Sequence, residues 1–288
     1  MTPPRLPTDI LPHILANILP VLDLCSISLV SREFRTEAQR IVFRHPGPVT
    51  IAYWNKPHIG LLKTIISSPN RLALHVRSWD QEIVLWERCS KRTKAALIHL
   101  TKRALESMVN LKSLRVWSAH PVSIQKALPP LLWPLPHILL DCKFQLEVFE
   151  WECNSGDEEG LITDFLPAQR GLKELVLPFN RNRPDVFDSA LYTAASRVNL
   201  DLESYAGTVE MTAPFLTRTS TDNHGTSLKC LRWTDGPSTN GDLDLDGVAP
   251  ALNNLRILHF DYDPMQFGPH FSQLGVFAHT VTLVRASS

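Results

Sequence analysis

Asp242, Asp244 and Asp246, followed by Gly247, stand at the spacing with which a calcium loop begins. Such a loop needs alternate oxygen donors around the ion and a sharp turn among them. Two later positions argue against it. Asn253 stands where the loop would end on a bidentate Glu, and Pro250 takes the ninth position. With Leu243 and Leu245 between the acids, the segment reads as an acidic loop leading into a helix. The eleven histidines include no H-E-x-x-H, and neither G-x-S-x-G nor a phosphate-cradling G-x-x-x-x-G-K occurs. Cys25, Cys89, Cys142, Cys153 and Cys230 are odd in number and hold no C-x2-C pair, which fits a reducing compartment. Single histidines such as His75 and His259 read as structural residues. No catalytic residue, metal or cofactor is therefore expected.

Charge and hydropathy narrow the partners. Lys+Arg and Asp+Glu balance at 29 each, so no net field concentrates a polyanion, and neither nucleic acid nor an anionic membrane is expected. The most apolar later stretch, Ala127 to Leu140, carries Pro129, Pro130, Pro134 and Pro136, which break helix and argue against a membrane span. The start, Met1-Thr-Pro-Pro-Arg, lacks the apolar core of a signal peptide, so a cytoplasmic or nuclear location is expected. The basic run Arg88, Lys91, Arg92, Lys94, Lys102 and Arg103 mostly avoids the Leu97-Leu100-Leu105 stripe. It reads as a solvated helix face rather than a nuclear signal.

The elements begin with short helices. Thr8 can cap a first helix with Ile10, Leu11, Ile14, Leu15, Ile18 and Leu19 on one stripe, Pro12 in the first turn and Pro20 at the end. Asp23 offers a second cap, before Leu24, Ile27 and Val30. A third helix follows Ser31, with Phe34, Ala38, Ile41 and Val42 inward. Three such helices make a small core that gains stability by packing on something else.

Leu6-Pro7-Thr8-Asp9-Ile10, Ile14-Leu15, Asp23-Leu24 and Ser28-Leu29-Val30-Ser31-Arg32-Glu33-Phe34 resemble the F-box pattern in order and spacing. Asp9 stands where Glu is commoner in that family and Ser31 where Cys is commoner. The resemblance implies contact with a Skp-family adaptor, and through it a cullin, by Leu6, Pro7, Ile10, Leu11, Leu24, Leu29, Val30 and Phe34. The alternative is an unrelated three-helix cap whose leucines are only core.

A second signal recurs afterwards: Leu, two residues, apolar, one residue, apolar. It appears as Leu111-Leu114-Val116, Leu146-Phe149-Trp151, Leu172-Leu175-Leu177, Leu228-Leu231-Trp233 and Leu255-Leu258-Phe260, with weaker copies at Leu200-Leu202 and Val281-Leu283. From Leu172 the starts fall at 172, 200, 228, 255 and 281, steps of 26 to 28 that match the period of about 20–29 residues of a leucine-rich repeat. The step from 111 to 146 is 35, its excess taken by the proline-rich segment. Stacked strand-and-return units are expected. The Asn usual after the strand is missing in most units. Between the two regions, Val49–Tyr53 and Leu72–Trp79 read as strands and Gly60–Ser67 as a helix. Ser90 reads as the cap of a long helix. The layout is similar to fungal F-box proteins with degenerate repeats.

The expected fold is thus α/β, an N-terminal three-helix F-box-like module (1–47), connecting units (48–110) and an irregular leucine-rich-repeat solenoid (111–288). The alternative is a non-repetitive α/β domain with leucine-rich strands. Alternation along the strands points Arg115, Trp117, Glu150, Glu152, Arg232, His259 and Asp261 outward as a target-binding strip. The expected function is a non-catalytic substrate receptor of a cullin-RING ubiquitin ligase, with a target protein that the sequence leaves unnamed. The alternative is a protein-binding scaffold that engages no ligase.

Overall fold

The computed structural model describes residues 9–17, 21–52, 55–83, 90–118, 135–152, 160–177, 200–208, 212, 215, 228–235, 255–260 and 282–285. The chain divides into two compact units. One comprises residues 1–82, 86–113 and 142–144, the other residues 83–85, 114–141 and 145–288.

The first unit opens with α1 (Leu11–Ala16), α2 (Val21–Ile27) and α3 (Arg32–Arg44). Pro12 sits in the first turn of α1, where its missing N–H costs no helical bond. Asp23 falls inside α2 rather than capping it. Ser31 does cap α3: its hydroxyl accepts from the Phe34 N–H at 3.3 Å and donates to Glu33 at 2.8 Å. Leu15, Leu24 and Ala38 form the core of these helices, with Ile27, Phe34, Ile41 and Val42 packed around them. β1 (Pro48–Ile51), α4 (Lys56–Ser67), β2 (Ser78–Ile83) and α5 (Lys91–Ser107) follow. Ser90 accepts from the Thr93 N–H at 3.1 Å and so starts α5 as expected. α4 and α5 pack together, and Leu62, Ile65, Leu97, Ala104 and Leu105 are buried on them.

One local expectation needs correcting. Leu72–Trp79 is not a strand throughout, because Ala73–His75 forms a 3-10 turn and β2 begins at Ser78. The Ser68 carbonyl accepts from the Leu72 N–H at 2.9 Å and the Ala73 N–H at 3.3 Å. Those donors are satisfied locally, so the chain has no need of a strand neighbour until Arg77.

The second unit carries most of β3 (Ser113–Ser118), then α6 (Leu135–Leu140), β4 (Val148–Glu152), β5 (Glu174–Leu177) and β6 (Ser204–Thr208). β7 (Cys230–Asp235), β8 (Ile257–Phe260) and β9 (Thr282–Arg285) complete it. A wide turn over Leu161–Phe165 and a 3-10 turn over Leu166–Ala168 lie between β4 and β5. From β4 to β9 each strand pairs in parallel with the next, in a register that aligns Phe149, Leu175, Tyr205, Leu231, Leu258 and Leu283. The first five of these are buried. The Phe149 and Phe165 rings pack tilted with centroids 5.2 Å apart, and the Leu146 N–H donates to the buried Gln169 side-chain Oε1 at 2.9 Å. The core of this unit is therefore the inner face of a parallel sheet.

The strands follow chain order from β1 to β9 in a single open sheet, which corrects the expected fold in two ways. There is no leucine-rich-repeat solenoid: the sheet neither closes nor curls into one. The Leu-x-x-apolar-x-apolar signal reports which strand residues point inward and how far apart the strands lie. Curvature depends instead on how wide the return segments are against the strand spacing of about 4.8 Å. Among the described residues the return segments include the 17-residue α5 and the 6-residue α6, which differ too much to act as one repeated wedge. Nor do the first helices form a separate three-helix module. Their fully buried core is too small to stand apart, and they belong to the larger unit that includes α4, β2 and α5.

Candidate protein-interaction surfaces

The apolar stripe of the first helices splits between core and surface. Leu11, Leu15 and Leu24 are buried, whereas Ile10 (42% exposed), Ile14 (41%), Val21 (56%), Leu22 (80%), Leu29 (77%) and Val30 (72%) are not. Of the residues expected to meet an adaptor, Ile10, Leu29 and Val30 therefore present side chains to solvent. Leu11 and Leu24 lie beneath them, and Phe34 is half-buried against the Leu15-Leu24-Ala38 core. Leu6 and Pro7 lie outside the described residues, as does Thr8. Ile14, Val21 and Leu22 were not among the expected contacts. Leu22 could have been found from its spacing: two positions before the buried Leu24, it falls on the opposite side of the helix. Leu29 and Val30 close α2 with bonds to Ser26 and Ile27 at 3.1 and 3.0 Å, and Arg35 Nε donates to the Ser28 carbonyl at 3.1 Å. The exposed pair thus sits on a hydrogen-bonded turn.

The second surface is the outer sheet face. The register aligns Glu150, Val176, Ala206, Arg232, His259 and Val284 in one row. Arg232 is exposed, Glu150 and His259 are half-buried, and Ala206 is buried. Arg115 on β3 is exposed and pairs with Glu150 at 3.1 Å, with Trp117 half-buried two residues along. Asp261 and the Glu152 side chain lie outside the described residues. Part of the expected strip is thereby brought into one row, and two of its charges neutralise each other.

A third feature lies at the strand starts, where one residue's carbonyl accepts two successive N–H groups of the next strand. Glu147 receives Lys173 and Glu174, Lys173 receives Glu203 and Ser204, and Glu203 receives Lys229 and Cys230. From Glu147 through Lys173 and Glu203 to Lys229 the side chains alternate in sign, and the next, Arg256, whose N–H joins the Lys229 carbonyl, repeats the sign of Lys229. Glu203 accepts from Lys229 Nζ at 2.6 Å and lies 3.8 Å from Lys173 Nζ. The Lys229 hydrogen bond, then its charge, holds the Glu203 carboxyl below the usual carboxylate range. This register also moves one repeat: its strand starts from Leu202, not Leu200, because Tyr205 and Gly207 supply the inward positions.

Among the described residues, no three of His, Cys, Asp and Glu are grouped to hold a metal ion. The Asp242–Gly247 run lies outside those residues. Among the same residues no helix is long and apolar enough to cross a membrane. The described geometry is that of surfaces, one apolar and one of mixed charge. No protein-family model matches the chain, and no curated protein matches it.

Proposed function

We propose that the chain is a non-catalytic substrate receptor of a Skp-cullin-F-box ubiquitin ligase, acting in the cytoplasm or nucleus. The segment from Ile10 to Val30 docks a Skp-family adaptor, which links it to a cullin, and the outer sheet face holds a target protein. One observation carries the reading. Among the described residues, six of the ten exposed large apolar side chains lie between Ile10 and Val30. Single exposed apolar residues are ordinary, but several on one short stretch favour a protein partner. Residues matching the F-box pattern, Ile10, Leu29 and Val30, are among them.

The test is co-purification of the chain with a Skp-family adaptor, comparing wild type with Leu29→Asp/Val30→Asp. Burying one such side chain stabilises by about 1.5–3 kcal/mol, so the double change lowers affinity by at least about tenfold. Failure of the wild type to bind any Skp-family adaptor would reject the proposal in favour of a scaffold that engages no ligase.

A further inference from the structure

A cationic corner forms in the first unit where α3 ends and β2 begins. Arg40 and Arg44 stand four apart on α3 and so share a face. The Arg77 N–H donates to the Arg44 carbonyl at 3.0 Å, which brings the start of β2 against the end of α3. His75 lies on the 3-10 turn just before, close enough to Arg40, Arg71 and Arg77 for their charges to act on it. The acid at this corner is Glu37, and it is engaged: Arg40 Nε lies 2.8 and 2.9 Å from its two oxygens. Among the described residues no carboxylate pairs with Arg44, Arg71 or Arg77. Arg77 instead donates Nη1 to the Asn110 carbonyl at 3.0 Å, while Arg44 and Arg71 are exposed.

In the second unit Glu203 stands between Lys173 and Lys229 at the strand starts and pairs with both, before the series ends on a second cation, Arg256. In the first unit the Arg44 carbonyl accepts the Arg77 N–H and the Arg77 carbonyl accepts those of Lys112 and Ser113. The cations Arg44, Arg77 and Lys112 thus follow one another with no acid between them in the series. Like charges on neighbouring strands repel, and an acidic partner converts that repulsion into charge-assisted hydrogen bonds. The patch is a few residues wide, and the balanced charge of the whole chain gives no extended field for a nucleic acid.

We propose that this corner binds an acidic segment of a partner protein, whose carboxylates bridge Arg44, Arg71 and Arg77. Unlike adaptor docking, this site requires no ligase. Fluorescence anisotropy of the full chain with a fluorescein-labelled Glu-rich peptide tests it, alongside a Lys-rich peptide and a DNA oligonucleotide of matched charge. The Glu-rich peptide binds at low salt and weakens as salt rises. Arg44→Glu/Arg71→Glu weakens it by about tenfold or more, the order expected when two charge-assisted contacts become repulsive. The Arg44 backbone carbonyl survives that change, and Arg71→Gln gives a milder variant with circular dichroism as the folding control for both. Absence of binding, equal binding by both folded variants, or equal or tighter binding of the DNA would overturn the proposal.

Discussion

Trp233 donates its indole N–H to the Thr212 hydroxyl at 2.9 Å, and that hydroxyl donates in turn to the Thr208 carbonyl at 3.1 Å. All three residues are buried or nearly so, and the chain of bonds ties the end of β6 to the inner face of β7. Replacing Thr212 by Val keeps its shape but withdraws an acceptor from a buried donor, at a cost of about 1–3 kcal/mol. Thr212→Ser retains the hydroxyl and should lose less. Urea denaturation of the two variants beside wild type checks the order. Equal midpoints for Thr212→Val and wild type would show that the bond adds nothing.

Gly207 is required by its neighbours rather than by its backbone angles. A Cβ there would lie 2.8 Å from Tyr205 Cζ and 3.0 Å from the Leu177 carbonyl oxygen, with the Tyr205 hydroxyl closer still. Tyr205 itself is fully buried, stacked at 5.6 Å on Phe215. Gly207→Ala should therefore destabilise by about 1–3 kcal/mol, as overpacking of a close-packed interior does. Tyr205→Leu in the Gly207→Ala background should cost less than the two single changes added together, because the clash is shared. Strict additivity in a double-mutant cycle would refute the proposed contact.

The strands were legible because their inward residues alternate. Leu114 and Val116, Phe149 and Trp151, and Leu175 and Leu177 each occupy i and i+2 in the sequence and are buried together. The start at Leu202 was hidden because Tyr205 and Gly207 replace the branched residues that mark other strands. Curvature was not legible, since no residue pattern states how wide a return segment packs. At the N-terminus the periodicity located one apolar stripe but not which of its residues are covered. Ile10 and Ile14 share a stripe with Leu11 and Leu15, and only the latter two are covered. A helix of six residues is too short for its neighbours to bury both edges. The cationic corner was invisible for a different reason: Arg44 and Arg77 are distant in sequence, and only the backbone bond between them reveals their shared position.

His75 links stability to pH. Burial, and then the charge of Arg40, pushes its imidazolium below the ordinary value of 6.5, with Arg71 and Arg77 adding to this and Glu37 opposing. The unfolded chain thus holds this proton more readily than the folded one. Through the window just below 6.5, stability should fall as pH drops and recover as it rises. His75→Asn removes the titrating group, so its denaturation midpoint should change less than that of wild type between pH 7.5 and pH 5.5, values of about one unit either side of the ordinary histidine range. An identical pH response from both proteins would remove His75 as the cause.

The two kinds of apolar residue in the first helices should respond oppositely to substitution. Leu24 is 3% exposed and sits in a core completed by Leu15 and Ala38, so little else can close around a void. Leu24→Ala should cost about 2–5 kcal/mol, the range for a buried leucine. Leu29 and Val30 make no comparable contact, and changing both to Ser should leave stability within about 0.5 kcal/mol. Adaptor binding should follow a different order. Leu29→Ser/Val30→Ser should weaken it while the chain stays folded, and Leu24→Ala should weaken it only in proportion to unfolding. Thermal melts and adaptor pull-downs on the same preparations separate the effects. If the Ser pair lowered stability as much as Leu24→Ala, its side chains would be core, and the exposed surface assigned to the adaptor would not exist.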